Sequence, residues 1–154
     1  MIEGFVKTFK KVEDAFADYI KSLGEVSRST KEEDINEHWD VKLNVKFDVK
    51  AIKKTNRYDE YPNENIHWVE LLNVHGRKGW LYGEADYFSF ETEDYWLIVS
   101  KEKLQEFISV KCKDKIYVSK PELYKLYSRA NRQDTITLIK TIDLCYLAEK
   151  IFKK

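Results

Sequence analysis

The chain has 154 residues and little of what usually identifies a protein at sight. It carries two cysteines, two prolines, five glycines, one methionine and three histidines. Cys112 and Cys145 lack the paired spacing of a zinc site, so a reduced, intracellular setting is the default expectation. No stretch approaches the roughly 20 uninterrupted apolar residues that span a bilayer. The N-terminal segment MIEGFVKTFKKVEDAF holds Lys and Glu inside its apolar periodicity, where a signal peptide has a bare hydrophobic run. There is no internal repeat and no low-complexity tract. Net charge is also lacking: Lys+Arg and Asp+Glu both total 27. That argues against nucleic-acid binding by bulk charge and leaves a local basic groove open.

What is present is material for a core. Hydrophobic residues make up 43% and aromatics 14%, which excludes disorder as a global state. The length suits one domain over residues 1–154. Residues 3–23 read as an amphipathic helix: Phe5, Phe9, Val12, Phe16, Tyr19, Ile20 and Leu23 recur at three- and four-residue steps, and Gly24 suits its end. Thr30 followed by Glu33 matches a capping box and predicts a short helical turn. A hairpin follows, with its turn near Asn44 and its second strand running on through Ala51 and Ile52. Residues 53–65 form a polar loop around Pro62. Residues 66–74 read as a central strand, and GWLYGEA as a short helix or turn. Residues 86–90 and 95–99 read as strands joined by a TED turn, and 101–108 as a helix. A short strand at 116–118, a helix at 121–129 opened by Pro121, a strand at 135–142 and a helical tail at 144–152 complete the pattern. The fold class is mixed α/β or α+β, a central mixed sheet flanked by helices.

The chemistry concentrates in HWDVKLNVKFDVK, residues 38–50. Side chains alternate along a strand, so Asp48 and Lys50 share one face while Phe47, Val49 and Ala51 take the other. Asp40 on the first strand brings a second carboxylate to the same ribbon. Two carboxylates suit a hard divalent cation, and an adjacent Lys can orient water or stabilise phosphate charge. The competing reading is a half-exposed hairpin with an ordinary alternation of charged and apolar residues. Glu70 stands alone among Trp68, Val69, Leu71 and Leu72. A carboxylate there needs a metal, a Lys partner such as Lys50, or solvent.

A leading helix, an acidic turn, a strand with Asp and a paired strand with D-x-K resemble the core of the PD-(D/E)xK nuclease superfamily. The segments EEDINEHWDVKLNVKFDVKAIKK, HWVELLNVHGRKGWLYGEADYFSFE and ADYFSFETEDYWLIVSKEKLQEFI resemble small uncharacterised bacteriophage members. The resemblance implies a restriction-endonuclease-like core. It implies Asp40 as the first-motif Asp, and Asp48 and Lys50 as the D-x-K pair. An alternative alignment makes Asp48 the first-motif Asp and Glu70 the next acid, which puts Leu72 at the Lys position unless Lys50 substitutes. The catalytic set is thus Asp40, Asp48, Lys50 and Glu70, with Mg2+ or Mn2+ held by Asp40, Asp48 and Glu70. Members often add a Glu from the first helix. Glu13 and Glu33 are the candidates, against a reading of each as a solvated surface carboxylate. Asp86 reads as a turn residue rather than a ligand.

The function implied is metal-dependent hydrolysis of DNA phosphodiesters, in the cytoplasm of a bacterium, with a phage origin as one option. Homodimerisation is one option, and a membrane partner is not expected. The alternative is a nuclease-like fold without activity that binds nucleic acid or a host protein, such as a counter-defence factor. Lys53, Lys54, Arg57, Arg77 and Lys78 are candidate phosphate contacts, and Arg129, Arg132, Lys153 and Lys154 could widen that surface. Tyr58, Tyr61, Trp80 and Tyr82 could stack on unpaired bases, with Trp80 and Tyr82 competing as core residues. His38, His67 and His75 fit no zinc spacing and read as structural or surface.

Overall fold

The computed structural model describes residues 2–21 and 26–154, with side chains described from Lys10 onward. Phe5, Phe9, Leu23 and Gly24 of the first-helix reading therefore fall outside the described side chains. Helix α1 spans Ile2–Ile20. Its Phe16, Ala17 and Ile20 are buried, with Val12 and Tyr19 beside them. The spacing puts all three on one face. Phe16 meets Phe47 and Trp96 edge-on, with ring centroids 5.3 and 5.2 Å apart, a favoured aromatic geometry.

After strand β1 (Ser27–Arg28), helix α2 covers Lys31–Glu37 and opens with the expected capping box: Thr30 and Glu33 exchange side-chain and backbone hydrogen bonds. It closes at His38, which takes a left-handed conformation with φ 57°. Strands β2 (Val41–Lys42) and β3 (Lys46–Lys50) form the expected hairpin, although β3 stops at Lys50, short of Ala51 and Ile52. Strands β5 (Tyr87–Glu91), β6 (Tyr95–Ser100) and β8 (Lys150–Lys153) complete a six-stranded sheet in the order β1-β2-β3-β5-β6-β8. It is mixed, because β3 and β5 run parallel while its other neighbours are antiparallel.

Four expectations are corrected. Residues 66–74 do not enter the central sheet. Strand β4 (Ile66–Leu72) instead pairs antiparallel with β7 (Thr135–Lys140) in a second, two-stranded sheet. Residues 121–129 are not helical, because their backbone bonds go across the chain. Tyr124 N–H reaches Leu138 O, Tyr127 N–H reaches Ile136 O, and Leu126 N–H reaches Ile116 O. Tyr124 itself has φ 60°, which no right-handed helix contains. Residues 116–118, expected as a strand, make only a single bridge, between Tyr117 and Leu126. The tail is also not one helix. Helix α4 (Thr141–Leu147) ends at Ala148, and β8 then pairs with β6.

The main sheet separates two apolar layers. Phe47, Val49, Trp96 and Ile98 face α1. Phe88, Phe90, Leu97 and Val99 face the other way, onto Leu104 and Ile108 of helix α3 (Lys101–Lys111), Leu144 of α4, Leu81 of the 3-10 turn Trp80–Tyr82, and Val69 and Ile139 of the small sheet. β3 is thus covered on both faces: its Asp48 is buried, while Lys46 and Lys50 at its ends stay half-exposed. No described helix is long and apolar enough to cross a membrane.

Candidate active site

The hairpin places its carboxylates through an interrupted ladder. Asp40 still pairs through its backbone: its N–H donates to Phe47 O at 2.7 Å, and its carbonyl accepts from Ser29 N–H at 3.0 Å. Beyond Asp40 the chain turns away into the left-handed cap at His38, so the next ladder position beside β3 has no strand opposite it. The Val49 N–H that would be orphaned there donates to Asp40 Oδ2 at 2.7 Å. A buried N–H needs a partner, and the Asp40 side chain supplies it. Asp40 is held in the plane of the sheet with 6% of its surface exposed.

Asp48 is 4% exposed and lies beside it on β3. Its Oδ1 pairs with Lys50 Nζ at 2.6 Å, as the shared face predicts. Its Oδ2 is buried with no hydrogen-bond partner. Burial pushes the Asp48 carboxyl up to about 8. The Asp40 carboxylate adds to the shift, and the Lys50 ammonium opposes it. Lys50 is fixed from the other side by Trp80, whose ring centre lies 4.2 Å from Nζ. Trp80 packs in turn on Phe88 and Phe90.

Glu13 approaches from α1. Its Oε2 accepts from Arg28 Nη2 at 2.5 Å. Burial raises its carboxyl to about 7, with Asp40 adding to the shift, Arg28 opposing it and Asp34 adding again. Asp34, on α2, is raised by burial and then by Asp40, while Lys50 pulls it down. Glu13 and Asp34, the latter exposed at the surface, thus both feel the Asp40 charge. Glu33 is spent on the α2 cap. Glu13, read from the sequence against a solvated surface carboxylate, is half-buried on the α1 face of Phe16, Ala17 and Ile20, at the i, i+3, i+4, i+7 spacing of one helix face. Asp34 went unnoticed because α2 has no buried residue and hence no face to read, and Arg28 because the two-residue β1 carries no pattern.

Glu70 stands apart on β4. Its Oε1 accepts from the Trp80 backbone N–H at 3.3 Å, and it makes no ion pair with Lys50. Lys53 joins the two halves. Its side chain is largely exposed, yet the surroundings of its ammonium push it down to about 8, desolvation first and the Lys50 charge second, while Asp48 and Glu70 pull the other way. The fold therefore brings Asp40, Asp48 and Lys50 together and leaves Glu70 one step away, behind Trp80 and Lys53. Asp86 behaves as a turn residue, accepting from the Lys46 N–H. Tyr82 is exposed, as are Tyr58 and Tyr61. His67 is buried against Phe90, with Nε2 unpartnered.

The Asp40–Asp48 pair fits a hard cation. Two buried carboxylates side by side repel each other, and an oxygen without a donor is available for coordination. Among the described residues no three acid, imidazole or thiolate groups surround one point. The donor set is thus a pair, to which Mg2+ typically adds waters and substrate oxygens. No family model, no curated protein and no solved structure matches this chain.

Proposed function

We propose that the chain is a metal-dependent phosphodiesterase of the PD-(D/E)xK type acting on DNA, with a restriction-endonuclease-like core built on the β2–β3 hairpin. One observation carries the reading: the buried, donor-free Oδ2 of Asp48 beside Asp40, with Lys50 on the other Asp48 oxygen. Asp40 and Asp48 would hold Mg2+ or Mn2+, with Glu13, which feels the Asp40 charge, as the candidate added carboxylate. A bound divalent ion lowers the pKa of water and neutralises charge on a phosphate. Lys50 supplies the complementary cation. Trapped between Asp48 and the Trp80 ring, its ammonium donates to the attacking water or to a non-bridging phosphate oxygen, without reorganising as charge develops. Lys53 lies on the Glu70 side and draws phosphate toward the pocket.

The test is incubation with plasmid, single-stranded and four-way-junction DNA plus Mn2+, beside Asp48→Asn. Wild type should cut at least one substrate, and the variant should lose at least 100-fold in rate, the order expected for a site's central electrostatic group. DNA binding without metal-dependent cleavage of any substrate would move the chain to the binding-only alternative.

A further inference from the structure

The zero net charge conceals a separation. After residue 100 there are thirteen Lys and Arg against seven Asp and Glu, and the first hundred residues carry the opposite excess. The basic excess is densest between α3 and β7, where residues 111–132 hold seven Lys and Arg against Asp114 and Glu122. This segment has no regular secondary structure beyond the end of α3, yet its shape is fixed. Val118 N–H donates to Leu126 O and Leu126 N–H to Ile116 O, both at 2.9 Å, closing residues 116–126 into a loop. Leu126 is buried at the neck. Tyr124 anchors the far side: its hydroxyl bonds to Asp143, its N–H reaches Leu138 O, and its ring sits against Phe107.

Three residues here take the left-handed backbone region, at Lys115, Tyr124 and Asn131. Such conformations are costly for side chains other than Gly, and they persist only where the surroundings enforce them. The segment displays cations. Lys113, Lys115, Lys120 and Arg132 are exposed and Lys125 is half-exposed. Among the described residues none of the five has an ion-pair partner, whereas Arg129 is neutralised by Asp134. The hydrogen-bonded neck sets the arm carrying Lys115 beside the arm carrying Lys125, and Lys120 lies in the loop between them.

The surface is connected to the candidate active site. Tyr127 packs on Trp68 of β4, with ring centres 6.5 Å apart, and Glu70 lies two residues along that strand. The Arg129 charge is felt by Lys53. We propose that residues 111–132 form the docking surface for the sugar–phosphate backbone of DNA outside the scissile bond, with Lys113, Lys115, Lys120, Lys125 and Arg132 as the phosphate contacts. The inference rests on the phosphodiesterase reading for its choice of DNA. A cation set free of ion-pair partners, on a loop whose base packs against the strand that carries Glu70, holds substrate that the acid pair would otherwise repel.

Binding and hydrolysis are measured separately. Anisotropy of a labelled duplex, in EDTA and in the Asp48→Asn background, compares the parent with a Lys113→Gln/Lys115→Gln/Lys120→Gln/Lys125→Gln variant across a salt series. The variant should bind at least 10-fold more weakly, and its log K against log salt slope should fall by about 3 to 4, near 0.9 per lost phosphate contact. Equal affinity and slope, or tighter binding of the parent to phosphatidylglycerol vesicles than to DNA, overturns the proposal. A second measurement needs no lysine substitution: DNA should protect these four lysines from acetylation more than Lys150 and Lys153, and uniform modification overturns the assignment. Mn2+-dependent hydrolysis of bis(p-nitrophenyl) phosphate, too small to touch the loop, should be equal in wild type and in the four-lysine variant with Asp48 intact. If wild type fails to hydrolyse it while the duplex results hold, the phosphodiesterase reading falls and the docking surface stands.

Discussion

At the residue scale, Asp40 does two jobs that substitution can separate. Its Oδ2 accepts the Val49 N–H, a fold requirement, and its charge faces Asp48, a site requirement. Asp40→Asn keeps an acceptor and should fold with near wild-type stability while losing metal-dependent activity. Asp40→Ala leaves a buried N–H unpaired and should cost about 1–3 kcal/mol in a denaturant titration; equal stability of the two variants would contradict this division. His67 makes a contribution to the pH dependence opposite in sign to that of the raised Asp48 and Glu13 carboxyls. Burial, helped by the Lys53 charge, pushes its imidazole down to about 4, from an ordinary value near 6.5. The unfolded imidazole then binds a proton first, so the His67 contribution to stability falls as pH drops from about 6.5 toward 4, by on the order of 3 kcal/mol. The stability of wild type relative to His67→Leu should therefore fall across this window in thermal melts; a constant difference would rule it out. The Asp48–Lys50 pairing was legible because a strand's two-residue period is rigid. The burial of Asp48 was not, since it depends on Trp80 and the Phe88–Phe90 layer, which local alternation does not report.

At the element scale, short-range chemistry was readable and long-range pairing was not. The α2 cap and the hairpin turn near Asn44 follow from residues within a few positions of each other. Thr30→Ala should therefore cost about 1 kcal/mol, visible as a lowered denaturation midpoint. The tail and residues 121–129 carry helical periodicity, yet β8 completes the edge of β6 and the 121–129 backbone bonds to β7. Hydrogen-bond partners distant in sequence override local preference there. Gly79 shows the same dependence on distant contacts. A Cβ at that position would stand 2.5 Å from Glu70 O and 2.8 Å from its Cγ, so no rearrangement of a flexible side-chain tip relieves it. Gly79→Ala should destabilise by about 1–3 kcal/mol and displace the Trp80 ring from Lys50. Near-UV circular dichroism reads the second effect, and an unchanged aromatic spectrum would disprove it.

At the scale of the whole molecule, one mixed sheet with both faces covered turns a charged hairpin into an enclosed site. α1 seals one face with Phe16 and Ile20, and the layer around Phe88, Phe90 and Trp80 seals the other. What stays inside is an acid pair and one ammonium, an arrangement that costs stability unless something answers the charge. The basic loop before β7 gives the molecule a second pole, which summed composition hid. The central claim is that Asp40 and Asp48 form a cation-binding pair. Its most direct test is a Mn2+ titration followed by thermal denaturation, on wild type and on Asp48→Ala. The account requires the wild-type melting temperature to rise with Mn2+ and the variant's to stay flat. A flat wild-type response, or an equal rise in both proteins, would contradict it.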